Sequence, residues 1–332
     1  MAASRLRVYS SSDAGAPALP GTVGSLLTVL NAVLVNGYGT QPAAGWSKPF
    51  ADAANIGCYK NGTGSTGLNL VVNDAGYNAT PGAREALACG WETLAGIASP
   101  VGSGGGQFPT PAQFGTVGAV AWHKSTTADA TARPWIILAD AHTFYMWVFH
   151  NGANYTHWGF GDLFSVKSTT DAYRCFIRGD TVNTSTPSAT TAKTDVIAIG
   201  DGSLYGIQQG HAGHYIARTW GGGGSSVASN VSADGMNSLL TVGMTGLGYQ
   251  RGITNIGADN ALYFYPLRWN DGSAQRGRLR GLYVSPHNPD MFVEGQVIAG
   301  GGDYAGKEFM IIKNGVNGGV WFVEISETVE TN

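Results

Sequence analysis

The chain has 332 residues, enough for a large hydrophobic core, with 12% charged residues and a formal net charge of −3. That charged fraction is about half the usual ~25%, and a negative chain argues against a nucleic-acid-binding protein. Glycine occurs 50 times, and an aromatic content of 11% argues against disorder. The composition therefore indicates short strands joined by glycine-rich loops.

The first long element that the pattern predicts is an amphipathic helix near the N-terminus. Apolar residues recur there at the spacing of one helical face. Thr22 or Ser25 can cap the start of the helix, and Asn36-Gly37 can end it. We therefore predict one helix at about Val23–Val35, which packs on a sheet because so short a helix is not stable alone.

The centre of the fold is predicted to be a β-hairpin. Two short apolar runs, Trp135–Ala139 and Thr143–Phe149, flank the turn-like residues Asp140-Ala141-His142. Both runs are rich in β-branched and aromatic residues, which is typical of strands buried on at least one face. A second hairpin is predicted near the C-terminus, where Phe309–Lys313 and Val320–Ile325 flank a glycine-rich loop.

Further strands are predicted wherever apolar residues alternate between turn-forming residues. In chain order they are Leu6–Tyr9, Ile56–Lys60, Leu68–Asn73, Ala83–Thr93, Val117–Lys124, Phe160–Lys167, Tyr173–Arg178, Val196–Ile199, Tyr215–Thr219, Ala261–Trp269, Leu279–Val284 and Met291–Val297. Ser99–Pro111 and Asn151–Gly159 are predicted loops. The predicted fold is mainly β, an antiparallel β-sandwich or barrel-like architecture built from hairpins, with the one short helix.

A Thr- and Ser-rich stretch, residues 181–194, is the best candidate for an internal domain boundary. It would separate an N-terminal β-rich region, residues 1–180, from a C-terminal β-rich region, residues 195–332. Because the composition is the same on both sides of this stretch, a single domain is the alternative.

Cysteine content and hydropathy indicate where the chain folds. Cys58, Cys89 and Cys175 are an odd number with no close pair, so they form neither a disulfide framework nor a zinc site. The N-terminal residues lack the apolar segment of a secretory signal, and no apolar run reaches the ~18 residues of a membrane span. We therefore expect folding in a reducing compartment and no membrane span.

The sequence offers few candidates for catalysis. It contains no G-x-S-x-G, Walker A, H-E-x-x-H or EF-hand pattern. His211 and His214 are spaced like a metal pair, but a zinc site needs three or four ligands of defined geometry. Asp140 and His142, with Asp129 upstream, are candidates for hydrolytic chemistry of the Ser-His-Asp type, although the sequence does not identify which serine would be the nucleophile. We therefore predict no enzyme, no catalytic residue, no cofactor and no metal.

Aromatic residues in the predicted loop Asn151–Gly159 are the strongest candidates for contact with a partner. Tyr155, His157 and Trp158 stand among glycines and polar residues. Aromatic rings in such a loop can stack on a sugar or anchor a protein interface. The alternative is that they cover the open end of the predicted sheet.

The densest group of basic residues lies in the segment Gln275–Gly281. Alternation along a strand puts Arg276, Arg278 and Arg280 on one face of that strand. Because the whole chain is negatively charged, we predict a solvated or intersubunit face here rather than a nucleic-acid site.

Six segments, in order over essentially the whole chain, carry a resemblance to a known family. They are Tyr9–Phe50, Lys124–Phe149, Phe160–Ile177, Ala212–Arg218, Arg276–Tyr283 and Gly301–Ile312. Together they resemble a family of virion structural proteins of tailed bacteriophages. The family has no catalytic motif that maps onto this chain, so no site residue is transferred from it.

The resemblance implies a virion component that is made in the host bacterial cytoplasm. Our first hypothesis is a structural subunit of the tail baseplate or tail tip, whose partners are other virion proteins and copies of itself. Sparse charges suit a surface that neighbouring copies cover. The alternatives are a tail protein that binds a receptor or host surface glycan, and a capsid decoration protein, with an enzyme ranked last.

Overall fold

The chain folds mainly into antiparallel β-strands, with one short helix near the N-terminus, which confirms the predicted fold class. The computed structural model of the protein describes residues 6–75, 82–113, 117–151, 154–167, 171–181, 212–224, 226–227, 230–233, 262, 265–271, 274–285, 291–313 and 320–326. Within these residues the strands form two sheets that pack face to face as a sandwich. The first and last strands of each sheet do not pair with one another, so neither sheet closes into a barrel.

The described strands are numbered in chain order. They are β1 (Arg7–Ser10), β2 (Ile56–Lys60), β3 (Asn69–Asn73), β4 (Glu85–Gly96), β5 (Ser103–Phe108), β6 (Val120–His123), β7 (Trp135–Ala139), β8 (Thr143–Asn151), β9 (Asn154–Asp162), β10 (Phe164–Ser165), β11 (Cys175–Thr181), β12 (Ala212–Ile216), β13 (Ser226–Val227), β14 (Asn230–Ala233), β15 (Tyr265–Asp271), β16 (Ala274–Ser285), β17 (Val297–Ala299), β18 (Glu308–Lys313) and β19 (Val320–Glu324).

Twelve of these strands form the first sheet and seven form the second. The first sheet runs in the order β1-β7-β8-β9-β11-β6-β4-β3-β2, with β5 beside β4 and with β12 and then β13 beside β11. The second runs in the order β14-β15-β16-β19-β18-β17, with β10 beside β16. The two sequence-predicted hairpins are present, because β7 pairs with β8 and β18 pairs with β19.

The predicted domain boundary at residues 181–194 falls almost entirely outside the described residues. Strands β12 and β13 lie after this stretch but join the first sheet, whereas β10 lies before it but joins the second. Neither of the two predicted regions therefore forms a sheet of its own. The predicted strand Val196–Ile199 also lies outside the described residues.

The predicted helix is present as α1 (Ser25–Leu30), which continues as a π-helical segment, Asn31–Asn36. Gly37 ends it with a φ of 78°, as the sequence predicts. Neither proposed side-chain cap is used, because the carboxylate of Asp74 accepts the Leu26 amide at 2.8 Å instead. Among the described helices, none has the length and apolar character needed to cross a membrane.

The central hairpin is buried on both faces and lies between two of the three cores of the fold. Ile137 and Met146 point into a first core between the first sheet and α1. Leu138 and Trp147, one residue further along each strand, point into a second core between the two sheets. A third core, with Phe309 and other residues of β18 and β19, covers the opposite face of the second sheet.

Three predicted elements differ from the structure. Strand β5 lies within the predicted loop Ser99–Pro111. The sequence does not predict it because its glycines pair with β4 through backbone groups alone, so no alternation of apolar side chains is present. Most of the predicted loop Asn151–Gly159 belongs to β9. Met291–Val297 is irregular up to its last residue, where β17 begins. The other predicted strands within the described residues overlap observed ones.

Candidate functional site

The structure corrects the predicted contact surface of Tyr155, His157 and Trp158. His157 and Trp158 are each only 1% exposed. They lie in β9, a central strand that pairs with β8 on one side and β11 on the other. Its sequence looks like a loop because it contains glycines at positions 159 and 161, where a Cβ would clash with β8, and buried polar residues, Thr156 and His157. The side chain of Tyr155 lies outside the described residues.

The two buried rings of β9 pack on opposite faces of the first sheet. Trp158 stacks on Trp122 in the first core, with ring centroids 5.9 Å apart and planes 11° apart. His157 lies in the second core between Trp147 and Trp321, at centroid distances of 4.4 and 4.9 Å. Trp158 therefore stabilises the core beneath α1, His157 stabilises the packing of the two sheets, and neither is part of an accessible surface.

The predicted solvated face of arginines is also wrong, since Arg276 and Arg280 are buried. Arg276 pairs with the carboxylate of Asp171 and donates from Nη1 to Ser165 Oγ at 2.9 Å. Arg278 is half-buried over a phenylalanine ring. The segment is a strand, as predicted. Because the second sheet packs on the first, the guanidinium groups of Arg276 and Arg280 are buried and pair with carboxylates of the same chain.

A group of charged and polar side chains lies where the central hairpin meets the second sheet. We call Asp140, His142, Asp162, Arg174 and Arg280 the hairpin-end cluster. Asp140 and His142 belong to the turn between β7 and β8, Asp162 ends β9, Arg174 precedes β11, and Arg280 comes from β16 of the second sheet. This is the best candidate functional site because it holds the two residues for which the sequence suggests hydrolytic chemistry.

Asp140 is engaged with both of its carboxylate oxygens. Oδ1 accepts the backbone amides of His142 and Thr143 at 2.7 and 2.8 Å, which fixes the turn in the usual manner of an aspartate. Oδ2 accepts Nη2 of Arg280 at 2.8 Å, and both side chains are buried. The aspartate therefore joins its own turn to the second sheet.

His142 is engaged through both ring nitrogens. Nδ1 lies 2.6 Å from Nη1 of Arg280, and Nε2 lies 3.1 Å from the carbonyl oxygen of Thr63. A guanidinium can only donate and a carbonyl can only accept, so this ring is neutral with its proton on Nε2. Burial, and then the charge of Arg280, lowers the pKa of His142 below 6.5. Neither nitrogen is available as a general base.

Asp162 is enclosed by donors from two segments, the loop between β2 and β3 and the residue before β11. Its carboxylate accepts Asn61 Nδ2 at 3.0 Å, the Thr66 amide at 2.8 Å and Thr66 Oγ1 at 2.7 Å. Arg174 lies 3.2 Å away. Burial raises the pKa of Asp162, and Arg174 acts in the opposite direction. The donors therefore occupy this carboxylate and tie the loop before β3 to the end of β9.

A separate buried ion pair, Lys124 with Asp74, lies beside the start of α1. Both side chains have 0% exposure. Nζ of Lys124 also donates to the Thr22 carbonyl at 2.6 Å. Burial raises the pKa of Asp74 to about 6 against the influence of the ammonium, and burial lowers the pKa of Lys124. Sequence reasoning missed this pair because its members are 50 residues apart.

Metal ligands and thiols add no further site in the described part of the chain. No group of three or more His, Cys, Asp or Glu side chains there is arranged to hold a metal ion. His211 lies outside the described residues, and only the backbone of His214, in β12, is described. Cys58, Cys89 and Cys175 are buried free thiols, and burial raises the pKa of each.

No model of a known protein family matches the chain, and no curated protein matches it in sequence. Its function must therefore be argued from the residues themselves. The hairpin-end cluster binds a turn of the first sheet to a strand of the second, and its two histidine nitrogens and two aspartates are occupied by internal partners. Such an arrangement fixes the relative position of the sheets and leaves no free acid–base pair for hydrolysis.

Proposed function

We propose that the protein is a structural subunit of a tailed-bacteriophage virion, assembled in several symmetric copies in the tail baseplate or tail tip. The burial of a set of charged side chains is the observation that carries the assembly role in this proposal. Nine acidic or basic residues in the described part of the chain are buried: Asp74, Lys124, Asp140, Asp162, Asp171, Arg178, Arg276, Arg280 and Glu324.

Burial of these charges has a consequence for the outer surface. Charged side chains are almost never fully buried unless they are paired, and this chain has only 19 basic and 22 acidic residues in total. At least nine of them lie inside the fold, which lowers further the number of charges left for the exterior. Such a surface loses little hydration when another copy covers it, and like copies repel each other weakly. Both effects favour symmetric assembly.

The resemblance of six segments to virion structural proteins supplies the biological setting of the proposal. In that setting the partners are other virion proteins and copies of the same chain, and the protein is made in the host bacterial cytoplasm. The capsid-decoration alternative shares the structural role and differs only in the position on the particle. The receptor- or glycan-binding alternative depended on Tyr155, His157 and Trp158, two of which are buried.

Light scattering coupled to size-exclusion chromatography tests assembly. We expect the purified protein to form a defined oligomer, or to convert from monomer to oligomer as its concentration rises. Each interface in that oligomer should bury more than ~1,000 Å², the area typical of specific association. A protein that stays monomeric at every concentration would contradict assembly from copies alone.

Imaging of intact particles tests the position. A tag on the C-terminus of the chain, detected by electron microscopy of particles that contain it, should lie at the distal end of the tail. Label on the capsid would replace the tail assignment with the decoration alternative. Purified particles without the protein would overturn the virion proposal, whatever the oligomeric state in solution.

A further inference from the structure

The buried pair of Lys124 and Asp74 differs from every other ion pair described in this chain. Its members are a primary amine and a carboxyl group, both with 0% exposure. The other lysine–carboxylate pairs are open to water, since the side chains of Lys48 and Lys307 are 19% and 23% exposed. One remaining buried pair, His123 with Glu85, has an imidazole in place of the amine. The others contain arginine, whose delocalised guanidinium is always charged and is a poor nucleophile.

The contacts of the pair orient the amine toward the carboxyl group. Nζ of Lys124 contacts Oδ1 of Asp74 and donates a second hydrogen to the Thr22 carbonyl at 2.6 Å. Oδ2 of Asp74 is held from the other side by the amide of Leu26 at 2.8 Å. The two carboxyl oxygens therefore have different partners, one the amine and the other a backbone amide.

Burial also brings the pair toward its reactive protonation state. The pKa of Asp74 rises to about 6 and the pKa of Lys124 falls, in both cases chiefly because the charged form is poorly solvated inside the fold. Transfer of one proton from Nζ to the carboxylate gives a neutral amine and a neutral acid. A neutral amine is a nucleophile, and a neutral carboxylic acid accepts its attack.

We propose that Lys124 and Asp74 condense to form an intramolecular isopeptide bond. Nζ attacks Cγ of Asp74, so a C–N bond forms, and the bond from Cγ to the hydroxyl oxygen Oδ1 breaks. The departing hydroxyl takes a proton from the amine with which it is in contact and leaves as water. No oxidant or other reactant is required, and the product is a secondary amide.

The surroundings assist each part of this step. Negative charge that develops on Oδ2 in the tetrahedral intermediate is stabilised by the amide of Leu26, which already donates to that atom. The fold holds amine and acid in contact, which removes the entropic cost of bringing them together. The complete burial of both side chains also keeps bulk water from the reverse reaction.

The cross-link would join the chain just after β3 to the chain just after β6, next to the start of α1. Cys58, Cys89 and Cys175 are free thiols in this structure. An isopeptide bond is resistant to reduction, so it could strengthen the first sheet in a compartment where disulfides do not persist.

Mass spectrometry of the full-length protein tests the proposal. Purified protein is incubated at a pH near the raised pKa of Asp74, and its intact mass is followed over several days. We expect the mass to fall by that of one water molecule. We also expect a tryptic digest to contain a branched peptide that joins the segments of Asp74 and Lys124, with no cleavage after Lys124.

The variant Lys124→Met is the matched control, because it removes the amine and keeps a long apolar side chain. Loss of one water also occurs when aspartate cyclises at Asp-Gly sequences, which this chain contains at Asp201-Gly202, Asp234-Gly235 and Asp271-Gly272. That loss would persist in Lys124→Met, and would overturn the proposal if it accounted for the whole mass change. Wild-type protein that keeps its full mass would overturn it as well, even if the variant did not fold.

Discussion

Arg280 and His142 join the two sheets through a contact of 2.6 Å between Nη1 and Nδ1. Arg280 lies on β16 of the second sheet, and His142 lies in the turn between β7 and β8 of the first. Asp140, in the same turn, accepts the same guanidinium at 2.8 Å. Because a guanidinium only donates, the contact with the ring exists only while His142 is neutral.

We predict that protonation of His142 destabilises the fold. Its pKa is 6.5 in an unfolded chain and is lowered in the folded one, by burial first and then by Arg280. The stabilising contribution is therefore complete above pH 6.5 and is lost as the pH falls through the lowered value. The free energy of unfolding, measured by denaturant titration on either side of pH 6.5, should show this loss.

The variant His142→Gln separates this effect from other titrating groups. Asp74 contributes with the opposite sign, since its pKa is raised to about 6 and its folded form gains protons as the pH falls. The informative quantity is therefore the difference between the two proteins. The variant should lose less stability than the wild type on acidification. Identical pH dependence in both proteins would show that His142 does not titrate in this way.

We also predict that removal of Arg276 is strongly destabilising. This side chain has 0% exposure and pairs with Asp171. The variant Arg276→Met leaves a carboxylate buried without its guanidinium, which typically costs about 3–5 kcal/mol in the free energy of unfolding. Denaturant titration at neutral pH measures the loss.

Two further variants test the cause of that loss. Arg278→Met changes a half-buried arginine two positions along β16 and should cost much less. The double variant Arg276→Met with Asp171→Leu removes both charges and should recover most of the lost stability, because no buried charge is left unpaired. Equal losses of unfolding free energy for Arg276→Met and Arg278→Met would show that the buried pair of Arg276 and Asp171 is not the cause of the destabilisation.

The sequence predicts those parts of the fold whose signal is local. The hairpin of Trp135–Ala139 and Thr143–Phe149 is predicted because short apolar runs on either side of a turn need no distant information. The helix is predicted because its apolar residues repeat at helical spacing. Strand β9 is missed because its glycines, which the close approach of β8 requires, and its buried polar residues are typical of loops in a sequence.

The charged sites could be predicted only in part, because their members are far apart in sequence. Asp140 and His142 stand out at a turn, but their partner Arg280 follows His142 by 138 residues. The role of the histidine depends on that partner, which converts a candidate base into a neutral structural group. Likewise Lys124 is a single charge at the end of an apolar run, and nothing near it in sequence identifies Asp74 as its partner.

Trp158 provides a direct test of the corrected contact surface. It is 1% exposed and stacks on Trp122. We predict that Trp158→Ala lowers the free energy of unfolding by about 3–5 kcal/mol, the usual cost of truncating a large aromatic side chain in a core. Thermal and denaturant unfolding of the purified variant measure the loss.

Trp220→Ala is the matched control for Trp158→Ala. The same atoms are removed, but Trp220 is 39% exposed and lies in a glycine-rich loop. Its truncation should therefore cost much less stability. If Trp158→Ala left the unfolding free energy unchanged, the burial of β9 would be wrong and the original expectation of an accessible aromatic surface would return.

Gly90 tests the packing inside the first sheet. It lies in β4, and a Cβ atom at this position would come within 2.1 Å of Cζ of the Phe108 ring. Phe108 has 0% exposure and stacks on Phe160 in the first core, so it has little room to move. Gly90→Ala should therefore lower the free energy of unfolding by about 1–3 kcal/mol, the typical cost of overpacking a core.

Gly221→Ala isolates that packing effect from the general effect of replacing glycine. Nothing lies within 4 Å of a Cβ at Gly221. An alanine there reduces the entropy of the unfolded chain, so we expect no loss or a gain of about 0.4–1 kcal/mol. The two substitutions should thus differ in sign or clearly in size when unfolding is followed by denaturant titration. Equal effects would mean that Phe108 can move aside, and that the first core is less closely packed at β4 than its geometry indicates.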